Sequence, residues 1–166
     1  MATDFATEVK AHPSVQRVRA ALVQAGVADT ITVMLEATHT AAAAAAALNC
    51  DIAEIAKAII FRTAHDRAVL VITSGANRVD EKKVAALTGE KIGKADADFV
   101  LAQTGFVIGG VAPVAHLHPP ITLLDQDLMQ YAGVYPAAGH PNTMFRISPA
   151  ELSRVTAAHV ADIKKE

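Results

Sequence analysis

Lys57 stands alone in the apolar stretch Ile55-Ala56-Lys57-Ala58-Ile59-Ile60-Phe61. Its ammonium can donate to ester, hydroxyl or phosphate oxygens, or it can snorkel to water from a strand end. In a strand, alternate residues share a face, so Lys57 is expected beside Ile59 and Phe61 on a buried face. A second feature is Gly109-Gly110-Val111-Ala112-Pro113. Two glycines allow unusual backbone angles and an exposed N–H pair, and Pro113 stiffens the exit; a plain turn or bulge is the other reading. The segment is neither a P-loop, which ends in Gly-Lys-Ser/Thr, nor a dinucleotide fingerprint. Together the two features point to a pocket that grips an oxygen-rich group without a metal or a nucleophile.

Other candidates carry less. His116 and His118 would share one face if their segment were a strand, but a metal needs further ligands and no acidic cluster lies at useful spacing. No metal and no cofactor are therefore expected. His140 sits in the loop Ala138-Gly139-His140-Pro141-Asn142, as a site residue or a solvated loop histidine. Cys50 has no visible base partner and reads as an inert thiol. Ser14 and Ser74 lack a nucleophile elbow. Asp80-Glu81-Lys82-Lys83 reads as a solvated helix face with opposite charges at neighbouring positions.

The elements that must hold these residues are legible from caps and periodicity. His12-Pro13-Ser14 opens a helix running through Ala25, with Val15, Val18, Leu22 and Val23 as its apolar positions and Gly26 as its stop. Residues 31–35 read as a strand. Thr38 or Thr40 caps an alanine-rich helix over 41–48, and Asp51 caps a single turn. Strands are expected at 58–61 and 69–73, with a turn at 74–77. Helices start at Asp80 and Asp96 and stop at Gly89 and Gly105. Short strands are predicted at 106–108, before the glycines, and at 121–124. Segments 134–137 and 144–147 should pair around a loop. Ser148-Pro149-Ala150-Glu151 is a capping box that starts the last helix. The irregular alternation argues for an α/β or α+β fold with a mixed sheet.

The chain has 166 residues, of which 52% are hydrophobic and 19% charged, enough to build a core. Aromatics are only 4%, so a platform of stacked rings for single-stranded RNA is not supported. A net charge of −2 with no basic stripe argues against sequence-independent DNA or RNA binding, though not against contact with one end of a nucleic acid. One cysteine, no signal-like start and no apolar run of spanning length favour the cytoplasm and give no membrane partner. The absence of an obvious exposed apolar stripe points to a monomer.

Several of these segments, taken in order, resemble one known family. Ala53-Glu54-Ile55-Ala56-Lys57-Ala58-Ile59-Ile60-Phe61 is similar to its lysine strand. Val69-Leu70-Val71-Ile72 followed by Asn77-Arg78-Val79-Asp80 is similar to its next strand and helix start. Thr104-Gly105-Phe106-Val107-Ile108-Gly109-Gly110-Val111-Ala112-Pro113 is similar to its Gly-x-x-x-Pro loop. Ile121-Thr122-Leu123-Leu124-Asp125 and Phe145-Arg146-Ile147-Ser148-Pro149-Ala150-Glu151-Leu152 continue the match. The family is that of the YbaK/ProX-like aminoacyl-tRNA deacylases, related to the editing insertion of bacterial prolyl-tRNA synthetase. The resemblance covers about residues 12 to 160.

It implies that residues 1–166 form a single compact α/β editing domain with a mixed, partly barrel-like sheet and surrounding helices. It implies a trans-acting hydrolase for the ester of a mischarged tRNA, typically tRNA-Pro carrying alanine, 2-aminobutyrate or another small amino acid. Lys57 takes the position of the family lysine that contacts the terminal adenosine and is needed for activity. Gly109 and Pro113, with Gly110, Val111 and Ala112 between them, frame the loop that holds the ester and amino-acid end. His140 corresponds to a family histidine that shapes the amino-acid pocket. The implied partners are the tRNA acceptor end and prolyl-tRNA synthetase. Two departures stand out: Ala112 replaces a frequent serine, and Ala115-His116 replaces a glycine-containing step. They keep open a second reading, a binding module of this fold that does not hydrolyse its ligand.

Overall fold

The computed structural model describes residues 2–35 and 40–166, so the alternative cap Thr38 lies outside the described residues. Helix α1 (Ala2–Ala11) packs on α2 (Pro13–Gln24). In α2, Val15, Val18 and Leu22 are buried as the periodicity requires, but Val23 is 60% exposed. It lies one residue, about 100° of helix, beyond the buried stripe. Helix α3 (Ala41–Leu48) starts where the Thr40 hydroxyl accepts the Ala43 N–H. Asp51 caps the 3-10 turn Ile52–Glu54 with a full capping box. Asp80 and Gly89 bracket α4 (Glu81–Thr88), and Asp96 and Gly105 bracket α5 (Ala97–Thr104). Ser148 accepts the Glu151 N–H at the head of α6 (Pro149–Thr156).

The strands are β1 (Thr32–Val33), β2 (Ile55–Thr63), β3 (Ala68–Ser74), β4 (Ile92–Lys94), β5 (Ile121–Asp125), β6 (Tyr135–Pro136), β7 (Thr143–Met144) and β8 (His159–Ala161). β1 is much shorter than the expected 31–35, whereas β2 and β3 outrun their predicted ends. The expected strand at 106–108 is absent. The Gly110 N–H donates to the Val107 carbonyl at 3.0 Å, closing a turn over that stretch. Val134 pairs with Ile147 and Ala137 with Met144, so the predicted late hairpin forms.

The main sheet runs β4-β2-β3-β5-β8, with β6 also on β2. It mixes antiparallel pairs (β2 with β3 and β4) and parallel pairs (β3 with β5, β5 with β8, β2 with β6). The sheet is mixed and flanked by helices, as expected, and does not close into a barrel. One face buries Ala56, Ile60, Leu70, Ile72 and Leu124 against α2, α5 and α6. The other buries Phe61, Val69, Val71 and Leu123 against Val84 of α4 and Ile163.

Among the described residues, strands cover the outer edge of β2 only at its two ends. β6 covers Ile55 and Ala56 on that edge, and β4 covers Phe61, Arg62 and Thr63. Between them, residues 57–60 meet no strand on that edge among the described residues.

Candidate active site

A cleft of about 550 Å³ opens at this gap. That volume lies within the usual range for small-ligand sites. Its lining alternates along β2, from Lys57 and Ile59 on one face to Ala56, Ala58 and Ile60 on the other, because the cleft wraps around an uncovered edge. Four more alanines, Ala41, Ala44, Ala95 and Ala137, line it beside larger apolar residues such as Val100 and Met144. Ile108, Gly109 and Val111 also line it.

Lys57 is exposed rather than buried. Burial on its face rises along the strand, from exposed Lys57 through half-buried Ile59 to buried Phe61. The second apolar cluster begins at Phe61 and stops short of Lys57. The strand rule places the residue on the correct face, but the cover over that face ends before it. No hydrogen bond or ion pair engages the Lys57 ammonium among the described residues. Two more charged side chains line the cleft, Glu81 at the start of α4 and Lys94 on β4. By sequence, Glu81 belongs to a solvated charge group. In the structure that group divides: Asp80 caps α4, Lys83 reaches Asp162 at 2.9 Å, and Glu81 faces the cleft.

The glycine loop is a built turn. Gly109 has φ +91, the conformation that the third residue of a type II turn demands and that glycine adopts without strain. The Gly110 N–H is spent on Val107 in that turn. The N–H groups of Gly109 and Val111, the two residues of 109–113 that line the cleft, donate to no acceptor among the described residues. Gly110, Ala112, Pro113 and His140 do not line the cleft. Gly110 instead lies against the His140 loop: a Cβ there would come within 2.9–3.0 Å of the His140 backbone. His140 accepts the Asn142 N–H at 3.0 Å on Nδ1, and its ring meets His12 edge-on at 5.6 Å. Burial, and then His12, push its imidazole below the ordinary value. The structure thus brings His140 to the back of the glycine loop.

The two departures also lie behind the loop. Ala112 is fully buried in the main core and does not line the cleft. Ala115 has φ +66, a left-handed conformation that glycine takes at lower cost. Arg17 holds it there, donating from Nε to the Ala115 carbonyl at 2.9 Å and from the guanidinium to the Thr104 carbonyl at 3.2 Å. The guanidinium also caps the Phe106 ring at 4.5 Å. Residues 116–118 are loop, not strand. The His116 Nε2 lies 2.7 Å from the Ala112 carbonyl, which can only accept, so this nitrogen carries the proton. No group of three His, Cys, Asp or Glu side chains is arranged to hold a metal ion among the described residues. Cys50 lies outside the cleft, and burial, then Glu54 and Asp51, push its thiol pKa up.

Burial also holds the His116 imidazole below its ordinary 6.5; the Ala112 carbonyl opposes this and Arg17 reinforces it. A lowered folded value means that the unfolded chain takes up the proton first. This contribution to stability is full above about pH 6.5 and is lost as pH falls toward the lowered folded value. His116→Gln is expected to flatten part of that loss while lowering stability at pH 8 by about 1 kcal/mol. Urea midpoints at pH 8 and 5.5 for both proteins check this.

Residues 35–155 match the family model described as the aminoacyl-tRNA editing domain. The chain belongs to the aminoacyl-tRNA editing domain family. A Bacillus subtilis (strain 168) protein, the uncharacterized YwhH, is 31% identical over 147 residues, covering 89% of this chain and 94% of that one. A crystal structure described as a candidate trans-editing enzyme for prolyl tRNA synthetase superimposes with a TM-score of 0.87 at 38% identity, covering 93% of this editing domain and 98% of that chain. A hypothetical protein of known structure gives 0.83 at 30% identity over 90% of this chain and 99% of its own. The resemblance to YbaK-like proteins read from the lysine strand and the Gly-x-x-x-Pro loop is therefore a family relationship. No helix among the described residues is long and apolar enough to cross a membrane.

Proposed function

We propose that this protein is a trans-acting deacylase that hydrolyses the ester of a mischarged tRNA, with tRNA-Pro carrying alanine, 2-aminobutyrate or a similarly small amino acid as substrate. The observation that carries the proposal is the presence in one cleft of a lysine ammonium and two backbone N–H groups that engage no partner among the described residues. An aminoacyl ester is already activated, so placing it and stabilising the tetrahedral oxyanion supply the needed catalysis. The N–H groups of Gly109 and Val111 donate to that oxyanion. Lys57 binds the ribose or phosphate of the terminal nucleotide. A ribose hydroxyl of the substrate assists the attacking water, and no step calls on a metal.

The alanine lining supports selection by size. One methylene is worth only about 1–3 kcal/mol, so discrimination between near neighbours is modest. The net charge of −2 supports contact mainly with the acceptor end, and the likeness to a candidate enzyme for prolyl tRNA synthetase supports that synthetase as a partner. In this reading the protein works as a cytoplasmic monomer.

The test is a panel of tRNA-Pro charged with alanine, 2-aminobutyrate, serine, cysteine or proline, with and without a chelator. We expect fastest hydrolysis of a small non-cognate ester, at least tenfold slower hydrolysis of the prolyl ester, and no effect of the chelator. Equal rates across the panel would remove the size selection, and chelator-sensitive hydrolysis would remove the mechanism.

A further inference from the structure

A carboxylate stands where a cleft for RNA has least use for one. Glu81, the first residue of α4, is exposed and lines the cleft. It engages no hydrogen bond or ion pair among the described residues. An acid suits the start of a helix, but Asp80 already serves α4 there, accepting the Lys82 and Lys83 N–H groups. The positions three and four residues on, where a helix could offer Glu81 a cation, hold Val84 and Ala85. Lys83 is spent elsewhere, on Asp162 at 2.9 Å and on the Lys164 carbonyl at 2.8 Å.

The place of Glu81 follows from the helix period. Val84 lies one turn further along the same side of α4 and is buried with Phe61, Val69 and Val71. Lys57, Ile59 and Phe61 share that face of β2, and Lys94 is the cross-strand partner of Phe61. Glu81 is therefore set on the same face of the sheet as Lys57 and Lys94. The other face brings apolar lining to the cleft, with Val100 and Val111 in one cluster with Ala56 and Ile60.

We infer that Glu81 receives the α-ammonium of the aminoacyl ester, an inference that rests on the deacylase reading above. The acceptor end of an RNA carries anionic phosphates and neutral sugars and bases. Its aminoacyl group adds one cation, on the carbon next to the ester carbonyl. Two ammonium side chains suit the phosphates, and a carboxylate beside them repels the RNA unless it meets that cation. The contact is a charge-assisted hydrogen bond. It selects for esters with a free amino group. An N-acylated or peptidyl ester brings a neutral amide instead and leaves the Glu81 carboxylate unpaired. Glu81 is thus a specificity residue and takes no proton from the attacking water.

The experiment uses the whole protein with tRNA-Pro acylated with alanine or with lactate, which puts a hydroxyl in place of the ammonium. The value of kcat/KM is measured for both esters with the parent protein and with Glu81→Gln, and the alanyl-to-lactyl ratio is compared between the two proteins. The comparison cancels the different intrinsic reactivity of the two esters and any general effect on the cleft. We expect the ratio to fall roughly tenfold in the variant, because alanyl hydrolysis slows and lactyl hydrolysis does not. An unchanged or raised ratio overturns the inference and leaves the deacylase standing. Equal slowing of both esters, the mark of a general base or a structural role, is one such result. Hydrolysis of neither ester by the parent protein overturns the deacylase, and the inference with it.

Discussion

Replacing Lys57 with alanine is expected to slow ester hydrolysis by about 10²- to 10³-fold while the unfolding midpoint stays unchanged. The activity loss follows from removing a charge-assisted donor aimed into the cleft, an interaction that costs about this much when lost from other pre-organised sites. The unchanged stability follows from the surroundings of the residue. Lys57 is exposed, engages no partner among the described residues, and lies beyond the end of the apolar cluster on its face. Its backbone remains paired to Thr73 of β3 whatever its side chain. Surface changes of this kind stay within about 0.5 kcal/mol. The split separates a working lysine from a snorkelling one, because a snorkelling residue would leave both quantities untouched. Initial rates and urea denaturation of the two proteins check it.

The largest effect on stability is expected at Asp125. Its side chain is 1% exposed at the end of β5, yet it satisfies a whole corner of the fold. One oxygen accepts from the Thr73 hydroxyl at 3.2 Å, the Ser74 N–H at 3.0 Å and the Asn77 amide at 2.9 Å. The other accepts the Asp127 N–H at 2.9 Å. The corner leads directly to the site. Ser74 donates from its hydroxyl to the Ala53 carbonyl at 2.7 Å, just ahead of β2, and the Gly75 N–H bonds Ile55 at its first residue. Asp125→Ala strands several donors in a buried place, so we expect a loss of about 3–4 kcal/mol in urea unfolding. That is a large part of the stability of a chain this size. Asp125→Asn keeps the shape but turns an amide N–H₂ toward other donors, and should lose about half as much. An Asp125→Ala protein as stable as the parent would show that the network is ornamental.

The contrast between these residues shows what could be read before the structure. Helix boundaries were legible because each depends on one local side chain. Thr40, Asp51, Asp80, Asp96 and Ser148 all cap where their types and spacing place them. The lysine strand and the glycine loop were legible as chemistry, and the fold brings Lys57, Gly109 and Val111 to one cleft. The exposure of Lys57 was not legible, because it depends on where α4 and β4 stop covering β2. Nor was the open edge at Ala58, which carries no side-chain signal and arises only from which strands pair with β2. The strand expected at 106–108 failed because an apolar run before two glycines serves a tight turn as well as a strand. Arg17 and His116 could not be placed, since each works by holding a carbonyl distant in sequence or across a loop. Helix α1 and strand β8 were not expected from the sequence; α1 packs on α2, and β8 pairs in parallel with β5.

The most direct measurement is the release of alanine from Ala-tRNA-Pro by the wild-type protein and by Lys57→Ala, at equal concentration and under single-turnover conditions. The account predicts rapid release by the wild type and release by the variant slowed by two orders of magnitude or more. Equal release by both, or release by neither above the uncatalysed rate, would contradict it.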